Sequence, residues 1–375
     1  MGDARTRAGR VLDWLEVRLN ITEIFSFLTN FGLFTAELDT KKPLRSALDE
    51  ALARPMPSYA RWPRVLGILT MLLFLLQCLT GTLLALYYRP TPEAAYDSVR
   101  MIVRDVTLGW FVQQVHFWGS ALLIVILLIR LLRFFYDAIY KPPRELLWVI
   151  GFLLFIATTH ADFTGKVMTF DSRNYWSATR SLEIFSHLPV VGSLFVFLAG
   201  GGDLSEVTLV RFYLAHIFIL PTVLFILFYL HFQGVRHLGL SHREGEQSEG
   251  GRLVYHRYLL NLSILLTVVF ALLVTVAVLL PHPFAAPPDL LSTPAGARPP
   301  WYLLPVYGFF EILPRWVPMP FKGSIVVLLG VGICILPFLD RSAPVQPSGR
   351  RGVIILGAML LLIALLLGVY GYRHA

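Results

Sequence analysis

Long apolar runs separated by short polar stretches dominate this chain. Seven of them, at 64–87, 111–136, 146–163, 209–233, 258–280, 322–339 and 352–371, are long enough, or nearly so, to cross a hydrocarbon core of about 30 Å as helices. The pattern predicts an all-α polytopic membrane protein, with a four-helix bundle (the first four runs) followed by three C-terminal helices. It divides the chain into an N-terminal segment 1–60, a bundle domain 61–240 and a C-terminal domain 241–375. Seven crossings put the termini on opposite sides. Lys and Arg concentrate before the first run and after the second, fourth and sixth, which places those stretches and the N-terminus in the cytoplasm, as for a protein of the bacterial cytoplasmic membrane.

The first 60 residues lack the apolar core and small-residue cleavage site of a secretion signal. From Val11 to Phe34 they mix aromatic and aliphatic positions with Asp13, Glu16, Arg18 and Glu23, the composition of an interfacial amphipathic helix that anchors and packs.

Composition agrees with a membrane environment: 56% of the 375 residues are hydrophobic and 15% charged, and the mean hydropathy is +0.64. The net charge of +8 is spread over loops rather than gathered on one face, which argues for topology and against nucleic acid. Two cysteines, Cys78 and Cys334, supply neither a disulfide framework nor a CxxCH haem attachment.

Candidate chemistry lies in the intramembrane histidines. His216 and His231 stand fifteen residues apart in the fourth run, roughly 22 Å along a helix and within about 60° of one face. Buried imidazoles at such positions need a partner or a metal, and the spacing suits two stacked haems. His116, in the second run, lies at the depth of His216. Facing imidazoles across a bundle are usual axial ligands of a six-coordinate b haem, with Arg211 a candidate partner for a propionate. His160 and Asp162 are ionisable positions near the end of the third run. His187, His237, His242, His256, His282 and His374 fall in loops or tails and are given no chemistry.

The stretches LDWLEVRL, LLALYYRPTPEAAYDSV, KPPRELLW, LPVVGS, TLVRFYLAH, IFILP and PPWYLLPVYGFFEILP together resemble cytochrome b of the bc-type quinol oxidoreductases. The N-terminal half resembles chloroplast-type cytochrome b6 and the C-terminal half its subunit IV, fused. The resemblance implies haem b and quinone or quinol as cofactors, a dimeric complex, and a Rieske-type iron-sulfur protein and a c-type cytochrome as partners. These would dock on the outer loops 164–208 and 281–321, with membrane lipid around the spans. It also implies that Gly67 and Gly81, and Gly151 and Gly165, each pair fourteen apart, let porphyrin edges approach the backbone.

Several positions depart from the family pattern. The second histidine of the second run is replaced by Arg130, which stays protonated and has no lone pair for iron, so His231 lacks its expected partner. Arg130 and Arg133 read as snorkelling side chains, or as a site for an anionic lipid, a propionate or a quinone carbonyl. The PEWY motif reads Pro299, Pro300, Trp301 and Tyr302, without its carboxylate. Thr169 and Phe170 stand where Pro-Trp is expected and Gln113 where arginine is, and Val65 stands where an additional covalent haem would need cysteine. The expectation is one outer haem on His116 and His216, with Trp301, Tyr302, His160 and Asp162 as candidates at an altered quinol site and His231 with Arg130 as a possible second site. The alternatives are a scaffold or electron-relay subunit without a quinone cycle, and a conventional two-haem cytochrome b with an unusual inner ligand. A transporter without redox function would explain the hydrophobicity but not the matched histidines and glycines.

Overall fold

The computed structural model describes residues 7–20, 55–56, 62–202, 204–239, 253–289, 297–340 and 350–374. The bundle is built from α2 (Trp62–Ala85), α4 (Gly109–Tyr136), α5 (Glu145–Met168), and α8 (Glu206–Leu214) continued by α9 (Leu220–Leu238). A short α1 (Arg7–Leu19) precedes it, and α3 (Ala95–Arg104) joins α2 to α4. Between α5 and α8 lie α6 (Ser172–Ser186) and α7 (Val191–Ala199). The C-terminal part comprises α10 (Tyr255–Leu279), α11 (Leu304–Ile312), α12 (Met319–Cys334), α13 (Leu336–Leu339) and α14 (Arg351–His374). A two-residue antiparallel ladder pairs Pro55–Met56 with Leu253–Val254.

Among the described residues six helices are long and apolar enough to cross a membrane, and the chain is a multi-pass membrane protein. The sixth apolar run differs: α12 stops at Cys334 and α13 follows after one turn residue. Pro337 explains the break, because it cannot donate to the carbonyl of Ile333. That carbonyl instead accepts from Trp148 Nε1 at 2.8 Å, which fastens the break to α5. The third run extends beyond its predicted end through Lys166, because Thr158, Thr159 and Thr164 return their hydroxyls to carbonyls of the same helix and Lys166 pairs with Asp162 one turn back.

Leu69, Leu73, Phe74, Leu123, Leu127, Leu154, Leu224 and Phe228 form the bundle core, with Phe74 and Phe228 stacked at 5.1 Å. The core lies between two polar levels, one near each end of the bundle.

One end is tied by charges. Arg18 of α1 forks onto Glu145, at 2.7 Å to Oε1 and 3.1 Å to Oε2, while His237 donates to the Val17 carbonyl at 3.1 Å and Leu19 enters the core. The helix expected as an interfacial anchor therefore docks on the bundle; its continuation to Phe34 lies outside the described residues. Arg350 donates to the carbonyls of Phe135 and Tyr136 at the end of α4, groups a helix terminus leaves without intrahelical donors.

At the other end, the stretch expected as an outer loop folds into α6 and α7. Asp171 caps α6 by accepting from the Asn174 amide at 2.8 Å. Phe163, Phe195 and Phe212 pack this hairpin against α5 and α8.

Candidate haem site

The fourth run is not a uniform α-helix. Ala215–Ile219 forms a π turn in which the Leu220 amide bonds to the Ala215 carbonyl. Pro221 follows at the start of α9 and withholds the donor that an α-turn would need at Ile217. A π turn takes up one extra residue. The fifteen residues from His216 to His231 are thereby brought into step with the fourteen from His116 to position 130.

His116 and His216 face each other across the bundle, with ring centroids 6.2 Å apart and planes at 74°. Thr80 donates to the Leu76 carbonyl at 2.7 Å, so its oxygen accepts from His116 Nδ1 at 2.9 Å. His216 Nδ1 donates to the Ala161 carbonyl at 2.9 Å and lies 3.1 Å from Thr164 Oγ1. These bonds place the proton on Nδ1 and leave the Nε2 lone pairs available, the arrangement of outer partners around ligating histidines.

Both glycines of this level are closely approached by a histidine ring. A Cβ built on Gly165 would lie 2.6 Å from His216 Cε1, and one on Gly81 3.1 Å from His116 Cε1. The two rings line a cavity of about 420 Å³ with Phe74, Leu123, Thr158 and Leu224, a volume suited to a large planar ligand. The centroid separation matches two metal–nitrogen bonds of about 2 Å plus the half-width of each ring. The residues of this level fit a bis-histidine haem.

The level of Arg130 and His231 is arranged differently. Arg130 Nη2 donates to His231 Nε2 at 2.9 Å, and Nη1 donates to Thr70 Oγ1 at 2.8 Å. A guanidinium has no acceptor, so the imidazole lone pair is the accepting group and is turned from iron to a proton. Gly67 faces Arg130, with a built Cβ 3.6 Å from Nη2, and Gly151 faces His231, with a built Cβ 3.9 Å from Cε1. Between the two glycines lies an Arg–His–Thr network. These residues do not fit a bis-histidine haem. Arg133 pairs with Asp137 at 3.4 Å.

The other sequence candidates divide. Asp162 joins the His116–His216 cavity: Oδ2 accepts from Lys166 Nζ at 2.7 Å and Tyr302 Oη at 2.9 Å, and Oδ1 accepts from Ser120 at 2.8 Å. His160, two residues earlier, projects elsewhere, bonding the Ile156 carbonyl at 2.8 Å and packing on Phe195 at 5.2 Å. Two residues rotate a helix by about 200°, which separates them. Trp301 is exposed beside Tyr302.

Arg211, the sequence candidate for a propionate partner, lies away from the cavity. Arg211 donates to the Phe197 carbonyl, stands over the Phe197 ring and does not line the cavity. Five residues turn a helix by about 140°, so Arg211 cannot share the face of His216.

Two cavity residues escaped the sequence reading. Lys166 lies beside Gly165, where its i,i+4 spacing from Asp162 was the available signal. His282, given no chemistry above, stacks on Phe117 at 4.1 Å and is fixed by two bonds between its backbone and Gln114, 2.8 and 3.1 Å. Burial, then Arg173 and Lys166 beside it, holds its imidazole down at about 4 and therefore neutral at pH 7. Burial and Asp162 push the Tyr302 hydroxyl up. No sequence motif brings residue 282 to Phe117; only the packing of the loop after α10 does so.

A helical membrane bundle with two facing histidines against paired glycines defines a haem-protein architecture, and the comparisons with known proteins agree. The family described as Cytochrome b/b6/petB matches residues 52–239, and its C-terminal counterpart, Cytochrome b(C-terminal)/b6/petD, matches residues 287–375. Cytochrome b6 of Heliomicrobium gestii is 41% identical over 177 residues, covering 47% of this chain and 83% of that protein. Cytochrome b of Solanum tuberosum is 31% identical over 343 residues, covering 88% of this chain and 85% of that protein. A chain of a hyperthermophilic respiratory Complex III has the same fold, with a TM-score of 0.76 at 24% identity, covering 96% of this chain and 91% of that one. The chain belongs to the cytochrome b family.

Proposed function

We propose that this chain is the haem b electron-transfer subunit of a bc-like membrane quinol or quinone oxidoreductase, with one b haem at the outer level and an altered quinol site. The carrying observation is the contrast between the levels: His116 and His216 face each other with ring centroids 6.2 Å apart and their Nδ1 atoms engaged, whereas His231 Nε2 is taken by Arg130 at 2.9 Å.

When bound, haem supplies a one-electron centre. His116 and His216 would hold it, Thr80 and Thr164 would fix the imidazole orientation, and Gly81 and Gly165 would admit the ring edge. At the quinol position Pro300 offers no carboxylate, and Tyr302 Oη is bound to Asp162. A complete quinone cycle requires a carrier at the inner level, and this reading has none there.

The same reading makes the chain a fusion of a cytochrome b6-like half and a subunit IV-like half in a bacterial cytoplasmic membrane, with a cytoplasmic N-terminus. A Rieske-type iron-sulfur protein and a c-type cytochrome would dock on 164–208 and 281–321 of a dimeric complex.

The test is Arg130→His. On the one-haem reading this variant returns the missing ligand between Gly67 and Gly151, and haem b per polypeptide rises from one toward two. An unchanged ratio would contradict the view that Arg130 alone keeps the inner level from binding haem.

A further inference from the structure

Any haem on His116 and His216 brings two propionate carboxylates into a largely apolar cavity, and carboxylates there require cationic or hydrogen-bonding partners. Arg211 is turned away onto Phe197. Among the described residues that line the cavity, Lys166 is the one lysine or arginine. The other ionisable groups of the lining are the carboxylates of Asp162 and Asp171, the Cys78 thiol, the Tyr88 hydroxyl, the two facing histidines, and His282, which is neutral at pH 7.

Lys166 is held for this task from several sides. One of its three N–H groups goes to Asp162 Oδ2 at 2.7 Å, and its ammonium lies 5.3 Å from the centre of the Phe117 ring, next in sequence to His116. Asp162 is 2% exposed and also accepts from Tyr302 and Ser120, so its charge is shared among three donors. The ammonium therefore keeps donors for a second anion. Asp162, Tyr302 and Ser120 act as positioning residues that keep a flexible lysine at the cavity wall.

We propose that Lys166, rather than Arg211, is the cation that pairs a haem propionate. The proposal rests on the haem reading above, and the two fail separately: a purified wild-type protein without haem overturns that reading, whereas the outcomes below concern Lys166 in protein that has haem.

The experiment is redox potentiometry with resonance Raman spectroscopy of the purified protein. Removing a positive charge beside the haem disfavours the reduced state. Lys166→Gln is expected to lower the midpoint potential and shift the propionate bending band. Lys166→Arg should restore both toward wild type, and Arg211→Gln should leave both in place. Asp162→Asn combined with Lys166→Gln separates loss of the lysine from exposure of its stranded partner, and the propionate band should remain shifted in this double variant. If the single variant does not retain haem, the double variant carries the same readouts; loss from both, with retention in Lys166→Arg, is the extreme of the same effect. An unchanged band and midpoint in Lys166→Gln, or a shift produced by Arg211→Gln instead, would overturn the proposal.

Discussion

Arg130 and His231 are bonded side chain to side chain, Nη2 to Nε2 at 2.9 Å, at the level of Gly67 and Gly151. The lone pair that would bind iron accepts a hydrogen bond from a charged donor. His231 is therefore a network residue, whereas His216 is a ligand candidate. His231→Leu is expected to leave haem content at its wild-type value and His216→Leu to reduce it to near zero, both read by haem absorbance per polypeptide. Equal loss in the two variants would argue against the assignment.

Gly165 and Gly67 make a matched pair. A built Cβ approaches His216 Cε1 to 2.6 Å at the first and Arg130 Nη2 to 3.6 Å at the second. Gly165→Ala should displace the imidazole and weaken haem retention on the order of 10-fold or more, comparable to disturbing a ligand's support. Gly67→Ala meets only ordinary van der Waals contact and should retain haem. Haem loss in detergent washes measures the difference.

Arg18 and Glu145 join α1 to α5 through two bonds, with side-chain exposures of 12% and 7%. Removing the arginine strands a buried carboxylate, and breaking such a pair typically costs about 3–5 kcal/mol. Arg18→Met should lower the thermal midpoint of the purified protein, and Arg18→Met with Glu145→Gln should recover most of the loss. Identical midpoints for the two variants would show that packing, not charge, holds α1.

His282 predicts an acid sensitivity of definite sign. Its folded value of about 4 lies below its ordinary 6.5, so between those values the unfolded chain binds more protons. Its contribution to stability is intact above pH 6.5 and declines as pH falls toward 4. His282→Gln should therefore lose less thermal stability than wild type over that interval. Parallel curves for the two proteins would contradict it.

Much of this arrangement was legible in the sequence because membrane helices announce themselves by length, and because ionisable residues are rare within them. The facing of His116 and His216 and the gap at position 130 followed from spacing and resemblance together. The π turn at Ala215–Ile219 was not legible, since Pro221 marks a disturbance without giving its form. The contact of Arg211 with Phe197 was not legible, since residue counting without rotation does not give the direction of the side chain. Lys166 and His282 were missed because their importance comes from what lies across the cavity, Asp162 and Phe117, and one chain read alone gives no such distances.

The most direct measurement is haem b per polypeptide in the purified wild-type protein, by pyridine haemochrome and quantitative amino-acid analysis. The contrast between the His116–His216 pair and the Arg130–His231 pair predicts a ratio of one. A ratio of two would contradict it, because His231 would then have to release Arg130 and bind iron with a partner from outside the network described.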